Sequence, residues 1–387
     1  MNKEKFEGKN QSYNRIHNNS MVISYLKEKG IASATTLSSE IGLSNAALSS
    51  ILKDLSTKGL IRIERTSSKS GKGRKQIDYV LNGAFGLIVA VSISNYLCTI
   101  AVSNIKEEIL IKTQHDVPRY DASAIYQIVL EITKIIMEPR FRDIPLKNII
   151  ISLPGLVNSK TGELAMSPQF DPEIFATDNF IVNVFSKQFP SVPVYLANDV
   201  NLSMIAEAEK NGIAGNENAM LVSIDAGIGG AFVIGHRLFE GDTGFAGEFG
   251  LLHGLFHGEY LPIDEFVSLR SLCAAVSKLK GEEVRTKDLI RLYGEDETVK
   301  KHVLETASVL GKVIHDIILL MDIKTVVLSG RVSLFGEEYL EAVKKEFESI
   351  NSPINVEFSK FGNDGIVMGA ISKGVNYILD KSVEPEA

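Results

Sequence analysis

Residues 45–58 and the two segments after them constrain the fold of this chain more than any other stretch. In a helix, residues 45–58 place four apolar side chains on one face: Leu48, Ile51, Leu52 and Leu55. Two short alternating segments, residues 59–64 and 76–81, then enclose a loop rich in Ser, Gly and Lys. The pattern predicts a helix with one buried face, followed by a β-hairpin with a basic tip.

Two further helices are predicted before this unit. Apolar residues recur on one helical face between Asn18 and Lys29, and a shorter helix extends from about Ser33 to Gly42. Three helices followed by a hairpin predict a winged helix-turn-helix domain over residues 1–82. Two other interpretations fit the same residues: a three-helix unit that binds no DNA, and a flexible linker in place of the wing.

The outer face of the third helix suits contact with DNA. Small polar residues let a helix backbone approach a groove closely, and Ser or Asn can bond to base edges or phosphates. The basic hairpin tip suits a DNA backbone or a minor groove. We therefore predict DNA contacts from eight residues: Ser44, Asn45, Ala46, Ser49, Ser50, Lys53, Lys72 and Arg74.

The charges of the chain are distributed unevenly. Residues 1–82 contain 14 Lys and Arg residues and seven Asp and Glu residues, a net charge of +7. Because the whole chain carries −7, the remainder carries −14. A basic head on an acidic body is expected when one end meets phosphates and the other does not. A solvated basic tail would give the same count.

The remainder of the chain has an α/β pattern. A hairpin is predicted at residues 87–102, and helices then alternate with strands through residue 234. The two cysteines, Cys98 and Cys273, do not form a close pair, and no N-terminal apolar run resembles a signal peptide or a membrane span. We expect a cytoplasmic protein with no membrane partner.

Two glycine-containing segments are candidates for a small-molecule site. Residues 225–230 link two predicted strands, and the backbone N–H groups of such a turn can face an anion, although an ordinary hairpin also needs glycines. Residues 244–250 place Glu248 among small residues, where a carboxylate can hold a hydroxyl group.

Several motifs, in this order, make the chain resemble the ROK family of repressors, open reading frames and kinases. Besides the predicted winged helix, they are Leu153-Pro154-Gly155-Leu156-Val157, Asn198-Asp199-Val200-Asn201, Gly227-Ile228-Gly229-Gly230, Ala246-Gly247-Glu248-Phe249-Gly250, Val327-Leu328-Ser329-Gly330 and Met368-Gly369-Ala370. The resemblance implies an actin-like ATPase fold of two α/β lobes with a sugar in the cleft. We place the lobes at residues 83–198 and 199–387, with the C-terminal helix returning to the first lobe.

Residues 92–96 depart from the kinases of this family. Those kinases have an Asp-x-Gly-Gly-Thr turn that admits the ATP phosphates, whereas this chain has Ser92-Ile93-Ser94-Asn95-Tyr96. Positioning and charge neutralisation provide nearly all of phosphoryl-transfer catalysis, so this change is expected to remove most of the rate. Asp199 matches the family's catalytic base and is left as a group that binds a hydroxyl. We predict a protein that is not an enzyme and needs no cofactor.

The family's zinc ligands are also missing. A Gly-His pair and a cysteine cluster are frequent in the family, but here Leu251 follows Gly250 and residues 252–263 contain no cysteine, which excludes a thiolate zinc site there. We predict no metal site, and a site of another kind built from His253, His257 and Glu259 is left as an open alternative.

The resemblance implies a ligand site built from five residues: Gly155, Asn198, Asp199, Glu248 and Asp264. We expect a repressor of carbohydrate-related genes that binds operator DNA as a homo-oligomer, dimer or tetramer, under the control of a sugar-like effector. An active sugar kinase and a DNA-binding protein whose body only oligomerises are the alternatives.

Overall fold

The computed structural model describes residues 11–67, 76–94, 96–158, 160–167, 169–175, 179–213, 218–350, 353–362 and 364–383. The predicted wing-tip residues Lys72 and Arg74 lie outside these ranges, and so does Asn95 of the turn between the first two body strands. Within the described ranges, no helix has both the length and the apolar character that crossing a membrane requires.

The head consists of helices packed on a small sheet. Its elements are α1 (Gln11–Lys29), β1 (Ala32–Ser33), α2 (Ala34–Ile41), α3 (Asn45–Thr57), β2 (Ile61–Ser67) and β3 (Gln76–Leu81). The three strands lie antiparallel in the order β1-β3-β2, so β2 and β3 form the predicted hairpin. The four leucine and isoleucine residues predicted for the inner face of α3 are all buried. The first helix begins earlier than the apolar pattern predicted, at Gln11 rather than near Asn18.

Serine caps fix where α2 and α3 begin. The hydroxyl oxygen of Ser33 accepts from the backbone N–H of Thr36, and that of Ser44 accepts from the N–H of Ala47. Helix α2 ends at Gly42, whose backbone is left-handed (φ 75°). The N–H of Gly42 donates a hydrogen bond to the carbonyl of Ser38. The local sequence therefore determines the turn between the two helices.

The first lobe is built on a five-stranded sheet in the order β10-β7-β4-β5-β6. Its elements are β4 (Leu87–Ser94), β5 (Leu97–Asn104), β6 (Ile109–Asp116), α4 (Ala122–Ile136), β7 (Leu146–Leu153), β8 (Leu156–Val157), β9 (Leu164–Met166), α5 (Phe180–Gln188) and β10 (Val194–Asn198). Strands β4, β7 and β10 are parallel, whereas β5 and β6 are antiparallel to their neighbours. Helices α4 and α5 cover one face of the sheet.

The second lobe follows α6 (Asp199–Lys210) and has its own five-stranded sheet, in the order β13-β12-β11-β16-β17. Its elements are β11 (Ala219–Ile224), β12 (Ile228–Ile234), β13 (Arg237–Phe239), β14 (His253–Phe256), β15 (Glu259–Pro262), α7 (Leu269–Lys280), α8 (Thr286–Glu295), α9 (Glu297–Met321), β16 (Thr325–Ser329), α10 (Glu337–Lys344) and β17 (Asn355–Phe358). Strands β14 and β15 form a separate hairpin that contacts α9.

The last helix, α11 (Asp364–Val383), packs against α6 and against β4 and β7 of the first sheet. The side-chain amide of Asn148 on β7 donates to the carbonyl of Gly374 at 2.8 Å. A Cβ at Gly374 would lie 2.6 Å from Ile88, so helix and sheet touch closely. The same apolar cluster continues into the head through Val22, Leu26 and Leu81. Head, α11 and first sheet therefore share one core.

Candidate functional site

Helix α3 presents a polar face to solvent. Six of the residues predicted to contact DNA are exposed there: Ser44, Asn45, Ala46, Ser49, Ser50 and Lys53. Ser44 uses its side-chain oxygen to cap the helix, so its hydroxyl is oriented by the backbone. The two other predicted contacts, Lys72 and Arg74, are outside the described residues. The geometry leaves the N-terminal half of α3 open to a groove.

A partly buried ion cluster joins the head to the body. The Lys27 ammonium on α1 lies 2.8 Å from Glu209 on α6 and 3.0 Å from Glu107 in the β5–β6 turn. It also donates to the side-chain oxygen of Asn376 on α11 at 2.7 Å, and Lys210 forms a second ion pair with Glu107. Sequence reasoning missed this cluster, because its members are far apart in the chain.

The charges of this cluster are mutually stabilised. Burial alone would lower the pKa of Lys27, but Glu107 and Glu209 outweigh it, so the pKa is raised. Burial alone would raise the pKa of Glu107, but Lys27 and Lys210 outweigh it, so the pKa is lowered. The head is thus held on the body by charges that remain ionised at neutral pH.

The N-terminus of α6 positions Asn198 and Asp199 in the cleft between the lobes. The side-chain oxygen of Asn198 caps α6 by accepting from the N–H groups of Val200 (2.9 Å) and Asn201 (3.0 Å). Its amide donates to the carbonyl of Gly155 at 3.0 Å. Asn198 therefore fixes the helix and the Gly155 loop relative to each other.

Asp199 is the cleft carboxylate with the strongest shift of pKa. Desolvation raises its pKa to about 6, although its hydrogen bond from the Val200 N–H opposes the shift. The carboxylates of Asp225 and Glu248 raise the pKa of Asp199 further. Desolvation also raises the pKa of Glu248. The cleft offers hydrogen-bond acceptors with negative charge.

Close backbone contacts place Glu248 beside β12. Gly230 donates its N–H to the carbonyl of Gly247 at 2.7 Å, and a Cβ on Gly247 would lie 2.0 Å from the carbonyl oxygen of Gly230. A Cβ on Gly230 would in turn meet the ring of Phe249. Only glycines permit this approach.

Asp264 and Gly155 are engaged within the protein. The two carboxylate oxygens of Asp264 accept from the N–H of Ile228 at 3.1 Å and from Arg270 at 2.5 Å. Gly155 has a φ of 131°, and a Cβ there would lie 2.2 Å from the carbonyl oxygen of Met166. Asp264 acts here through its carboxylate and Gly155 through its backbone, and the assignment of both as direct ligand contacts stays a prediction.

The glycine-rich turn after β11 carries its own acid, Asp225. Arg331, which follows β16, donates from Nε to both carboxylate oxygens of Asp225 at 3.0 Å, and its Nη2 contacts the same carboxylate. The N–H groups of Ala226, Ile228 and Gly230 already have protein acceptors. The turn is thus closed by a charged pair, not left as a cradle for an anion. An acid at the first position of a presumed anion turn was the sequence signal for this arrangement.

The other end of the cleft has no acid at the kinase position. Ser92 and Ile93 are buried within β4, and the hairpin turns at Tyr96, whose backbone is left-handed (φ 60°) and whose side chain is exposed. Ser92 and Tyr96 stand at the first and last positions of this turn, where the family's kinases have Asp and Thr.

The histidines of the β14–β15 hairpin do not form the site that the sequence left open. The ring of His253 stacks on Tyr260 at a centroid distance of 5.4 Å. His257 instead approaches Glu305 on α9, with 3.5 Å between Nε2 and Oε2. Among the described residues, His253 and Glu259 are not grouped with His257 as potential metal ligands, so the alternative of a His253–His257–Glu259 site is wrong.

A winged-helix head joined to a two-lobed, kinase-like body with an acidic cleft defines the class of this protein. The chain belongs to the ROK family, whose sequence profile matches residues 89–372. It is 21% identical to the xylose repressor of Caldicellulosiruptor bescii over 94% of this chain and 96% of the repressor.

Solved structures share the fold. A ROK family transcriptional regulator, described as a homologue of the Escherichia coli Mlc protein, superposes with a TM-score of 0.79 at 20% identity, over 97% of this chain and all of that one. A ROK hexokinase from Thermus thermophilus superposes with a TM-score of 0.62 at 22% identity, over 74% of this chain and 96% of the hexokinase. The hexokinase likeness shows that the body has the kinase fold.

Proposed function

We propose that this chain is a sugar-responsive transcriptional repressor whose head binds operator DNA. The observation that carries the proposal is the exposed polar face of α3, on a winged helix whose core continues into the body. Similarity to a xylose repressor over head and body alike supports the same function. The contacts would come from residues 44–53 and from Lys72 and Arg74 in the wing.

The effector fits the class of neutral, polyhydroxylated molecules. Asp199 and Glu248 accept hydrogen bonds from hydroxyl groups, whereas their carboxylates would repel a phosphorylated ligand. Xylose is the first sugar to test, because a xylose repressor is among the relatives.

We further propose that the body does not transfer phosphoryl groups. The Asp225–Arg331 pair occupies the glycine-rich turn, and Ser92 stands where a kinase needs an acid. A phosphate placed at the turn would meet the carboxylate of Asp225 and few unengaged N–H groups. Incubation with ATP, Mg²⁺ and a panel of hexoses, pentoses and amino sugars tests this; sugar-dependent ADP release that Asp199→Asn abolishes would contradict it.

Helix α6 is the proposed route from effector to DNA. Its first residue, Asp199, lies in the cleft, and Glu209 near its other end holds Lys27 of the head. The two residues are about 15 Å apart along the helix axis. A sugar that changes the position of α6 would therefore change the orientation of the head, and so the affinity for DNA.

We propose that two heads bind two half-sites as a homodimer. Leu319 and Leu320 at the end of α9 are 61% and 82% exposed, which supports contact with a second copy. A two-fold dimer predicts half-sites about one or two helical turns apart. Light scattering coupled to size exclusion distinguishes monomer, dimer and tetramer.

Fluorescence anisotropy with DNA upstream of the protein's own gene tests the function. We expect binding that weakens steeply with salt and changes on addition of sugar. Binding that is insensitive to salt, or that no sugar alters, contradicts the proposal. Thermal-shift screening of sugars without DNA shows separately whether a sugar binds the protein, because a ligand that binds the native state raises the stability of that state. A sugar that raises the melting temperature while no DNA binding is seen means that the tested DNA lacks the operator.

A further inference from the structure

Three potential metal ligands meet where the β14–β15 hairpin contacts α9. His257 lies at the hairpin turn, where a left-handed backbone (φ 49°) directs the chain back into β15. His302 and Glu305 are three residues apart on α9 and so share one face of the helix. Ligand atoms of these three residues all lie within 4.8 Å of one another.

We propose that His257, His302 and Glu305 form a binding site for a divalent transition metal ion, with Zn²⁺ as the expected occupant. Two imidazole nitrogens and one carboxylate oxygen are a donor set that Zn²⁺ accepts, and three protein ligands leave a position for water. Mg²⁺ and Ca²⁺ prefer sets made of oxygen atoms alone. The site is independent of the proposed regulatory function, and its ligands differ from the thiolates that the sequence lacks.

The surroundings hold the imidazoles in place. The Phe256 ring stacks on His257 at 4.1 Å and on Phe266 at 4.6 Å, and it meets His302 edge-on at 5.8 Å. The Lys301 ammonium lies 3.9 Å from the Glu305 carboxylate and is exposed, so a metal ion can displace it from that carboxylate.

The bound ion would fasten the hairpin to α9. Strand β15 leads directly into Ile263, which is fully buried, and Asp264, which holds the N–H of Ile228 in the glycine-rich turn. A metal at this place would therefore stiffen one wall of the cleft without contacting the ligand.

Isothermal titration of ZnCl₂ into the full chain, first freed of metals with a chelator, tests the site. We expect one Zn²⁺ per chain, a higher melting temperature with Zn²⁺, and visible absorption bands when Co²⁺ replaces it. His257→Asn and His302→Gln should each weaken binding by about tenfold or more. Asn suits the left-handed backbone at position 257, so that variant should fold.

His253→Gln is the matched control, because His253 lies on the same hairpin but outside the cluster. It should bind Zn²⁺ as the parent chain does. Failure of the parent chain to bind Zn²⁺ overturns the proposal. Equal loss of binding in the His253 variant, or undiminished binding in both cluster variants, overturns it as well.

Discussion

Lys27 of α1 and Glu209 of α6 lie 2.8 Å apart, and this contact joins the DNA-binding head to the helix that begins at Asp199 in the cleft. Glu107 and Asn376 complete the surroundings of the ammonium, so three body elements hold one head side chain. The side chain of Glu107 is only 6% exposed. A buried charge that loses its partner is costly, so the head has a defined position on the body.

Replacing Lys27 with Met should uncouple the head from the effector. The change leaves Glu107 with Lys210 as its remaining cation, and we expect a loss of roughly 2 kcal/mol in the free energy of unfolding. DNA binding should persist while its response to sugar falls, which anisotropy with and without sugar measures. Lys29→Met is the control, because Lys29 is 55% exposed and pairs with its neighbour Glu28. An unchanged sugar response in the Lys27 variant would argue against coupling through α6.

Substitutions on α3 should be of two kinds: some should change the affinity for all DNA, and others should change the preference for the operator. Lys53→Ala is expected to weaken binding to all sequences and to lower the salt slope by about one. Asn45→Ala should cost about 1–3 kcal/mol for the operator and little for unrelated DNA. Lys134→Ala, an exposed change on α4 of the body, should have neither effect. Equal losses for operator and random DNA in the Asn45 variant would contradict a base contact.

Replacing Asp199 with Asn should stabilise the protein at neutral pH and weaken effector binding. The pKa of Asp199 is about 6 in the folded chain, against an ordinary 3.8. The folded state therefore holds this proton more tightly than the unfolded state, so ionisation of Asp199 destabilises the fold as pH rises from about 4 to 6. The penalty is complete above about pH 6 and is on the order of 3 kcal/mol.

Calorimetric melting at several pH values tests this prediction. The stabilisation of the Asp199→Asn variant should be largest near neutral pH and vanish below about pH 4. Sugar affinity of the parent chain should fall as pH decreases through about 6, because the protonated carboxyl is a poorer acceptor. A stabilisation that is equal at all pH values would show that charge is not its cause.

The Asp225–Arg331 pair should contribute modestly to stability. Both side chains are partly exposed, 33% and 40%, so we expect a coupling energy of about 1 kcal/mol between them. A double-mutant cycle of Asp225→Asn and Arg331→Met, followed by urea unfolding, gives this energy directly. A coupling energy near zero would mean that the pair does not hold the turn to β16.

Gly155 should not tolerate a side chain. Gly155 has a φ of 131°, and an added Cβ would lie 2.2 Å from the carbonyl oxygen of Met166. We therefore expect Gly155→Ala to lower the free energy of unfolding by about 3 kcal/mol or more. Gly162→Ala is the matched control, because Gly162 also has positive φ (72°) but nothing lies within 4 Å of its Cβ position. That control should cost about 1 kcal/mol. Equal melting temperatures for the two variants would contradict the steric argument.

The elements with strong local signals were predicted well from the sequence. Helix α3 lies within one residue of its predicted bounds, residues 45–58, because apolar periodicity and the Ser44 cap are local. Strand β6 was missed, since alternate residues such as Lys112 and Gln114 make it polar at the sheet edge. Strand β12 begins at Ile228, three residues early, because glycines of the supposed turn pair with β11.

The sequence by itself determined the winged-helix pattern, the polar outer face of α3, the order of the family motifs and the loss of the kinase turn at residues 92–96. Each depends on residues that are neighbours in the chain or on one helix face. Only the tertiary structure decided that Lys27 meets Glu209, that Arg331 closes the turn at Asp225, and that His257 approaches His302. These partners are separated by 45 to 182 positions, and no local pattern fixes which charges meet once the lobes and head pack together.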